Sequence, residues 1–176
     1  MPSFLIKKDF GSSNEQVIRR AIECLKANHQ EVITIKVMNN YGGVVFLAKE
    51  LMDAIWHTTS SVHVVYSGFI VSSAAFLFAV TDILESHKAN VVMELEDDVC
   101  LVFHKPRIEL SNGKKYFHNS ANLHELDVDI ATDLCNISDF CEQWFVAYIE
   151  HLGYDLSYEE SLYLQGFEAV IAYTKA

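Results

Sequence analysis

The sequence predicts an α/β fold whose first part is built from parallel βαβ units and whose second part is largely helical. Three observations carry that prediction. From Phe4 to Phe103, short β-branched runs alternate with stretches of helical spacing, the pattern of parallel strands joined by crossover helices. From Ile137 to Leu152 a single apolar stripe recurs at i, i+3 and i+4, which marks one long amphipathic helix. The 176 residues hold only 2 prolines and 7 glycines, and no Pro/Gly-rich linker divides them. Residues 1–176 therefore read as a single domain, long enough to bury a real core.

The elements follow in order. Phe4-Leu5-Ile6 is a short apolar strand, and Val17, Ile18, Ala21, Ile22 and Leu25 fall on one helical face. Val32 to Met38 alternates and is β-branched, hence a strand. Val44, Leu47, Ala48, Leu51, Met52 and Ile55 form the next helical stripe. Val62 to Tyr66 is a strand, Ala74 to Leu84 a buried helix, and Asn90 to Glu94 and Val99 to Phe103 are two further strands. The acidic run Glu94-Leu95-Glu96-Asp97-Asp98 between them reads as a solvated turn, because it lacks the glycine and ligand spacing of a Ca²⁺ loop. Ile108-Glu109-Leu110 and Tyr116-Phe117 flank an Asn112-Gly113 turn and form a hairpin. Gly153 ends the long helix, and Ser157-Tyr158-Glu159-Glu160 is a capping box for a last short helix that Gly166 ends.

Charge and composition exclude several classes. A net charge of −11 argues against nucleic acid, whose binding needs Lys and Arg to displace counterions, and equally against an anionic membrane surface. The longest apolar run, Ala74 to Val80, is too short to span a bilayer. Met1-Pro2-Ser3-Phe4 begins no secretory signal. The 4 cysteines, Cys24, Cys100, Cys135 and Cys141, lack metal spacing. They read as reduced thiols of a cytoplasmic protein.

Three segments carry candidate chemistry. Asn39-Asn40-Tyr41-Gly42-Gly43, Gly68 to Ala75, and Phe103-His104-Lys105-Pro106 each take a strand into a turn, and a helix follows the first two. Such an arrangement supplies backbone N–H groups, a hydroxyl and an imidazole, the parts of a serine hydrolase. A serine where a strand meets a helix exposes its hydroxyl and has helix N–H groups nearby for an oxyanion. Read from pattern alone, Ser72 or Ser73 is simply an N-cap, His104 a strand-end residue, and Asp155 a turn residue ahead of a helix. The other histidines (His29, His57, His63, His87, His118, His124, His151) lie in helices, polar turns or strand faces.

The order of these segments resembles the Clp peptidases, the proteolytic subunits of ATP-dependent proteases. Asn39, Gly42 and Gly43 match the family's Asn-Ser-Pro-Gly-Gly turn. Gly68 to Leu77 match its nucleophile segment, with Ser72 in the nucleophile position, and His104-Lys105-Pro106 stands where the family has His-Gln-Pro. The resemblance implies a Clp/crotonase-type fold of stacked β-α-β repeats with a helical handle-like C-terminal part. Its α/β core would span about 4–107 and 154–173, and the hairpin and handle-like region about 108–153. It implies a serine peptidase acting on peptides or unfolded proteins, with Ser72, His104 and Asp155 catalytic and Gly43, Ser73 and Gly68 as oxyanion-hole candidates. No metal or cofactor is required. A homo-oligomeric ring is implied, with an AAA+ unfoldase or host Clp subunits as further partners.

The chain also departs from the family. Tyr41 replaces the turn's proline, Asp155 stands closer to the last helix than the family's aspartate, with Gly153 and Tyr154 in the upstream places, and a second serine, Ser73, follows Ser72. The altered turn at Tyr41, the displaced Asp155 and a start almost at the first core strand suit a non-catalytic Clp-like subunit that joins or modulates a ring. A crotonase-type acyl-CoA enzyme shares the fold but needs no Ser–His pair.

Overall fold

The structure, a computed structural model, describes residues 1–27, 31–153 and 155–175, so His29 and Tyr154 lie outside the described residues. The chain divides into two compact units, one made of residues 1–103 with 170 onward, the other of residues 104–169.

The first unit is an α/β layer. Strand β1 (Ser3–Phe10) leads through α1 (Glu15–Lys26) to β2 (Ile33–Gly43), then α2 (Val45–His57), β3 (Val62–Val71), α3 (Ser73–His87) and β4 (Val91–Phe103). The last strand, β7 (Ala169–Tyr173), completes a five-stranded sheet of order β1-β2-β3-β4-β7. The three pairs β1/β2, β2/β3 and β3/β4 are all parallel. Because strand order follows chain order, successive right-handed crossovers carry α1, α2 and α3 to one face of the sheet, where α1 packs on α2 and α2 on α3. Alternate strand residues meet those helices: Ile6, Ile33, Ile35, Val37, Val64 and Tyr66 are fully buried. Helix α3 is buried nearly all round, from Ser73 through Thr81, which explains its unbroken apolar sequence. In its interior Thr81 Oγ1 lies 2.9 Å from the buried Tyr66 hydroxyl and also donates to the carbonyls of its own helix.

Over the N-terminal half of its strands the opposite face of the sheet mixes exposed apolar side chains, Leu5 and Val92, with charged ones. Lys36 Nζ lies 3.3 Å from Glu96, and His63 Nε2 lies 2.9 Å from Glu94. Here the acidic run departs from expectation. It forms no turn, because β4 runs unbroken from Val91 to Phe103. The register passes from Tyr66↔Leu95 to Gly68↔Val99, so the surplus residues of β4 bulge out of the ladder. Their carboxylates find partners there: Lys36 for Glu96, the Ser67 hydroxyl for Asp97 at 3.5 Å, and the Lys175 N–H for Asp98 at 2.9 Å. Strands β2 and β3 likewise run further than their alternation suggests, to Gly43 and Val71.

The second unit opens with the expected hairpin, β5 (Ile108–Glu109) paired antiparallel with β6 (Lys115–Tyr116). Helix α4 (Val128–Leu152) begins well before its apolar stripe, because the Asp127 carboxylate caps it by accepting from the Asp129 N–H at 2.9 Å. Gly153, at φ +69, closes it in the left-handed conformation. Ile137, Cys141, Phe145, Tyr148 and Ile149 are buried, so much of the stripe is already covered within the chain, and Phe145 stacks on Tyr163 at 4.2 Å. Helix α5 (Ser157–Leu164) belongs to this unit rather than to the α/β core. Its expected capping box does not form: Ser157 is already helical, and the Asp155 carboxylate accepts the Ser157 N–H at 3.0 Å.

Burial pushes the Cys141 thiol up to about 12. Only the thiolate is nucleophilic, so at pH 8 iodoacetamide should alkylate the partly exposed Cys24, Cys100 and Cys135 well before Cys141. Peptide mapping reads the order, and an equal rate at Cys141 would show that the buried side of α4 opens readily.

Candidate active site

The site in the first unit is built around one residue. Strand β3 ends at Val71 and α3 begins at Ser73, leaving Ser72 alone to turn the chain. It does so at φ 58 and ψ −126. A side-chain-bearing residue held there stores on the order of 1–3 kcal/mol of strain. The strain is sustained by neighbours: the Ser72 N–H donates to the Val102 carbonyl of β4 at 2.8 Å, and its carbonyl accepts from Ala75 at 2.9 Å. The N-cap alternative fails on geometry, since the Ser72 hydroxyl makes no capping hydrogen bond. Ser73 caps nothing either. It is fully buried inside α3, and its hydroxyl has no partner. At the first helical position the Ser73 N–H has no carbonyl of its own helix to bond.

Strand β2 supplies the second wall. Gly42, at φ +82, passes so close to Ser72 that a Cβ on it would stand 2.5 Å from Ser72 Cβ and 3.1 Å from its hydroxyl oxygen. Gly43, at φ +138, is pressed against Phe10 of β1, whose carbonyl oxygen lies 2.8 Å from where a Cβ would be. The backbone entering this corner is shaped by Asn40, a residue the sequence reading passed over. Its buried Oδ1 accepts the Gly42 N–H at 2.9 Å. An Asn two residues ahead of a glycine is the available signal, because Asx side chains bond their own backbone two residues on. Gly68 sits elsewhere. It lies inside β3 opposite Val99, four positions and roughly 13 Å along the strand from Ser72. Its missing Cβ makes room for Asn39, whose Oδ1 would be 2.2 Å away. That packing role, rather than proximity to Ser72, accounts for this glycine.

In the second unit, His104 is half-buried and is the residue that follows β4. Its Nδ1 lies 3.1 Å from the Lys105 carbonyl oxygen. With the proton on Nδ1 donated to that carbonyl, Nε2 presents its lone pair, as a general base requires. Lys105, in place of the family's Gln, is buried, with its ammonium 3.1 Å from Glu142. Asp155 is exposed, and its hydrogen bonds go to Ser157 rather than to His104.

The side chain and N–H of Ser157 hold the Asp155 carboxyl below its ordinary range. A depressed folded-state value means stabilisation that is present above the unfolded-state pKa and lost as pH falls through the folded one. Asp155→Ala should therefore lower Tm at pH 7, and the gap from the parent should close below about pH 4, where the carboxylate titrates. A gap that persists unchanged at pH 2 would remove the capping role. Neither a family model nor a curated protein matches the chain.

Proposed function

We propose that the chain is a serine hydrolase of the Clp peptidase type, cleaving peptides or unfolded proteins by acyl transfer. The observation that carries the reading is the backbone of Ser72, a non-glycine residue at φ 58 that alone joins a strand to a helix. Hydrolases place a nucleophilic serine on a strained strand-to-helix turn of this kind because it holds the hydroxyl clear of both elements. In this mechanism Ser72 Oγ attacks the peptide carbonyl while His104 Nε2 takes its proton. The Ser73 amide, with that of Gly43, stabilises the oxyanion. The imidazolium then protonates the leaving amine, and water releases the acyl group by the same steps in reverse. The Lys105 carbonyl orients the ring, which leaves Asp155 to its cap. The finer Clp/crotonase assignment goes with this reading, as do ring assembly and an unfoldase or host Clp partner.

A second reading, a non-catalytic Clp-like subunit, is favoured by one observation: Asp155 bonds Ser157 instead of an imidazole. Reaction with a fluorophosphonate decides between them. A working site forms an Oγ–P bond and expels fluoride, and the intact mass rises by one adduct. No adduct on the folded protein would sink the hydrolase reading and leave the second.

A further inference from the structure

We propose that Asn40 is a positioning residue of the oxyanion hole, its side chain aiming the Gly43 N–H at the oxygen of the carbonyl under attack. This rests on the reading in which Ser72 is the nucleophile and the Gly43 amide receives the oxyanion. Gly42 and Gly43, at φ +82 and +138, have no Cβ to limit rotation. Tyr41 stands where the resembling family has proline, so no ring fixes φ just ahead of them. Hydrogen bonds weaken steeply when misaligned, and an oxyanion donor works best when it is aimed before the reaction begins. Something else must therefore hold the glycine pair.

The amides on either side of the Gly43 N–H are both pinned. The Val44 N–H donates to the Phe10 carbonyl of β1 at 2.6 Å, and the Gly42 N–H donates to Asn40 Oδ1 at 2.9 Å. With the planes on both sides held, the peptide between them, which carries the Gly43 N–H, has little room to turn. The first hold is backbone on backbone. The second is a side chain, and it is kept against the interest of stability. Asn40 is fully buried in the middle of the sheet, opposite Lys8 of β1 and Ile70 of β3. Its Nδ2 finds no hydrogen-bond partner among the described residues. Asn is a poor strand residue, and a buried donor left unpaired is destabilising. An apolar side chain would remove that penalty. What Asn40 contributes is the acceptor for Gly42, which fixes the peptide entering the glycine pair and so the heading of the next N–H.

The test is the rate of fluorophosphonate labelling, followed by intact mass at several reagent concentrations so that kinact and KI separate. Ser72 Oγ attacks phosphorus, fluoride leaves, and the phosphoryl oxygen gains negative charge in the hole as the Oγ–P bond forms. Asn40→Ala removes the acceptor, and Asn40→Cys replaces it with a thiol, which accepts only weakly. Both should lower kinact by about tenfold or more with KI unchanged, a milder form of the roughly 10²–10³ lost with a whole oxyanion donor. Asn40→Ser, close to cysteine in size, keeps an oxygen able to bond the N–H two residues on, and its kinact should stay near that of the parent. Asn90→Ala controls for stability alone. Asn90 Nδ2 donates to the Thr58 and Ser60 carbonyls at the other end of the strands, so its loss should lower Tm without changing kinact. Circular dichroism checks the folding of each variant, and the isosteric Ser and Cys pair decides if Asn40→Ala does not fold. A parent-like kinact in Asn40→Cys or a folded Asn40→Ala, an equal fall in Asn40→Ser, or a matching fall in Asn90→Ala overturns the positioning role and leaves Ser72 as nucleophile. No labelling of the parent protein overturns the Ser72 reading and the role of Asn40 with it.

Discussion

Ser72→Ala should abolish fluorophosphonate labelling completely, and Ser73→Ala should leave it in place. The two serines are adjacent and both buried, yet their backbones are placed differently. Ser72 is the linking residue, strained at φ 58, with its hydroxyl facing the Gly42 backbone. Ser73 is fully buried inside α3 with an unpartnered hydroxyl. Alanine at 73 retains the backbone N–H assigned to the oxyanion and removes a buried polar atom that bonds nothing, a change close to neutral for stability. Alanine at 72 keeps the same backbone strain, so the fold should survive while peptide hydrolysis falls on the order of 10⁶-fold in kcat, the scale seen when a nucleophile is removed. An adduct that persists in Ser72→Ala, or disappears only in Ser73→Ala, would transfer the role to the other serine.

Gly42→Ala should be the most damaging single methyl in the first unit. Its Cβ would lie 2.5 Å from Ser72 Cβ and 2.7 Å from the Val71 carbonyl oxygen. Both belong to rigid parts of the turn, so neither yields as the end of a long side chain does. The residue also sits at φ +82, which any side chain resists. Overpacking and backbone strain together amount to roughly 2–4 kcal/mol. For a chain of this size that lowers Tm by roughly 5–15 °C. Gly113→Ala provides the comparison, since it shares the positive φ, at +80, but has nothing within 4 Å of the added carbon. Equal melting temperatures for the two variants would refute the close approach of β2 to Ser72.

The parts of this architecture that repeat were legible in the sequence. Alternating β-branched runs located β1 to β4 because a sheet packed on one face demands a period of two. The Asn112-Gly113 turn and the Gly153 stop were read from single residues whose backbone needs are unusual. What the residues could not convey was where pairing overrides local preference. The acidic run of β4 has the composition of a turn, but Lys36 and Ser67 on neighbouring strands and Lys175 near the end of the chain keep it in the sheet as a bulge. Gly68 looked like part of a turn, yet its neighbour Asn39 comes from another strand. At the candidate site the serine and the glycine pair stood out. The backbone strain at Ser72 did not, because it depends on which serine ends the strand. The hydrogen bond of the Asp155 carboxylate with the Ser157 N–H, two residues on, was likewise not read from the sequence, where Ser157 looked like the cap.

The order of the strands also bears on how the chain assembles. From β1 to β4 each strand lies beside the one made just before it, so a chain emerging from the ribosome can add them one at a time with short loops to close. The fifth strand breaks that habit. β7 joins the same sheet only after residues 104–168 have been made, and closing a loop of that length carries an entropic penalty that the earlier pairings avoid. Until it arrives, the outer edge of β4 offers unpaired N–H and C=O groups to any passing strand. The five residues of β7 are thus a late-fitted seal, and the interval before they dock is when a nascent chain is most exposed to aggregation.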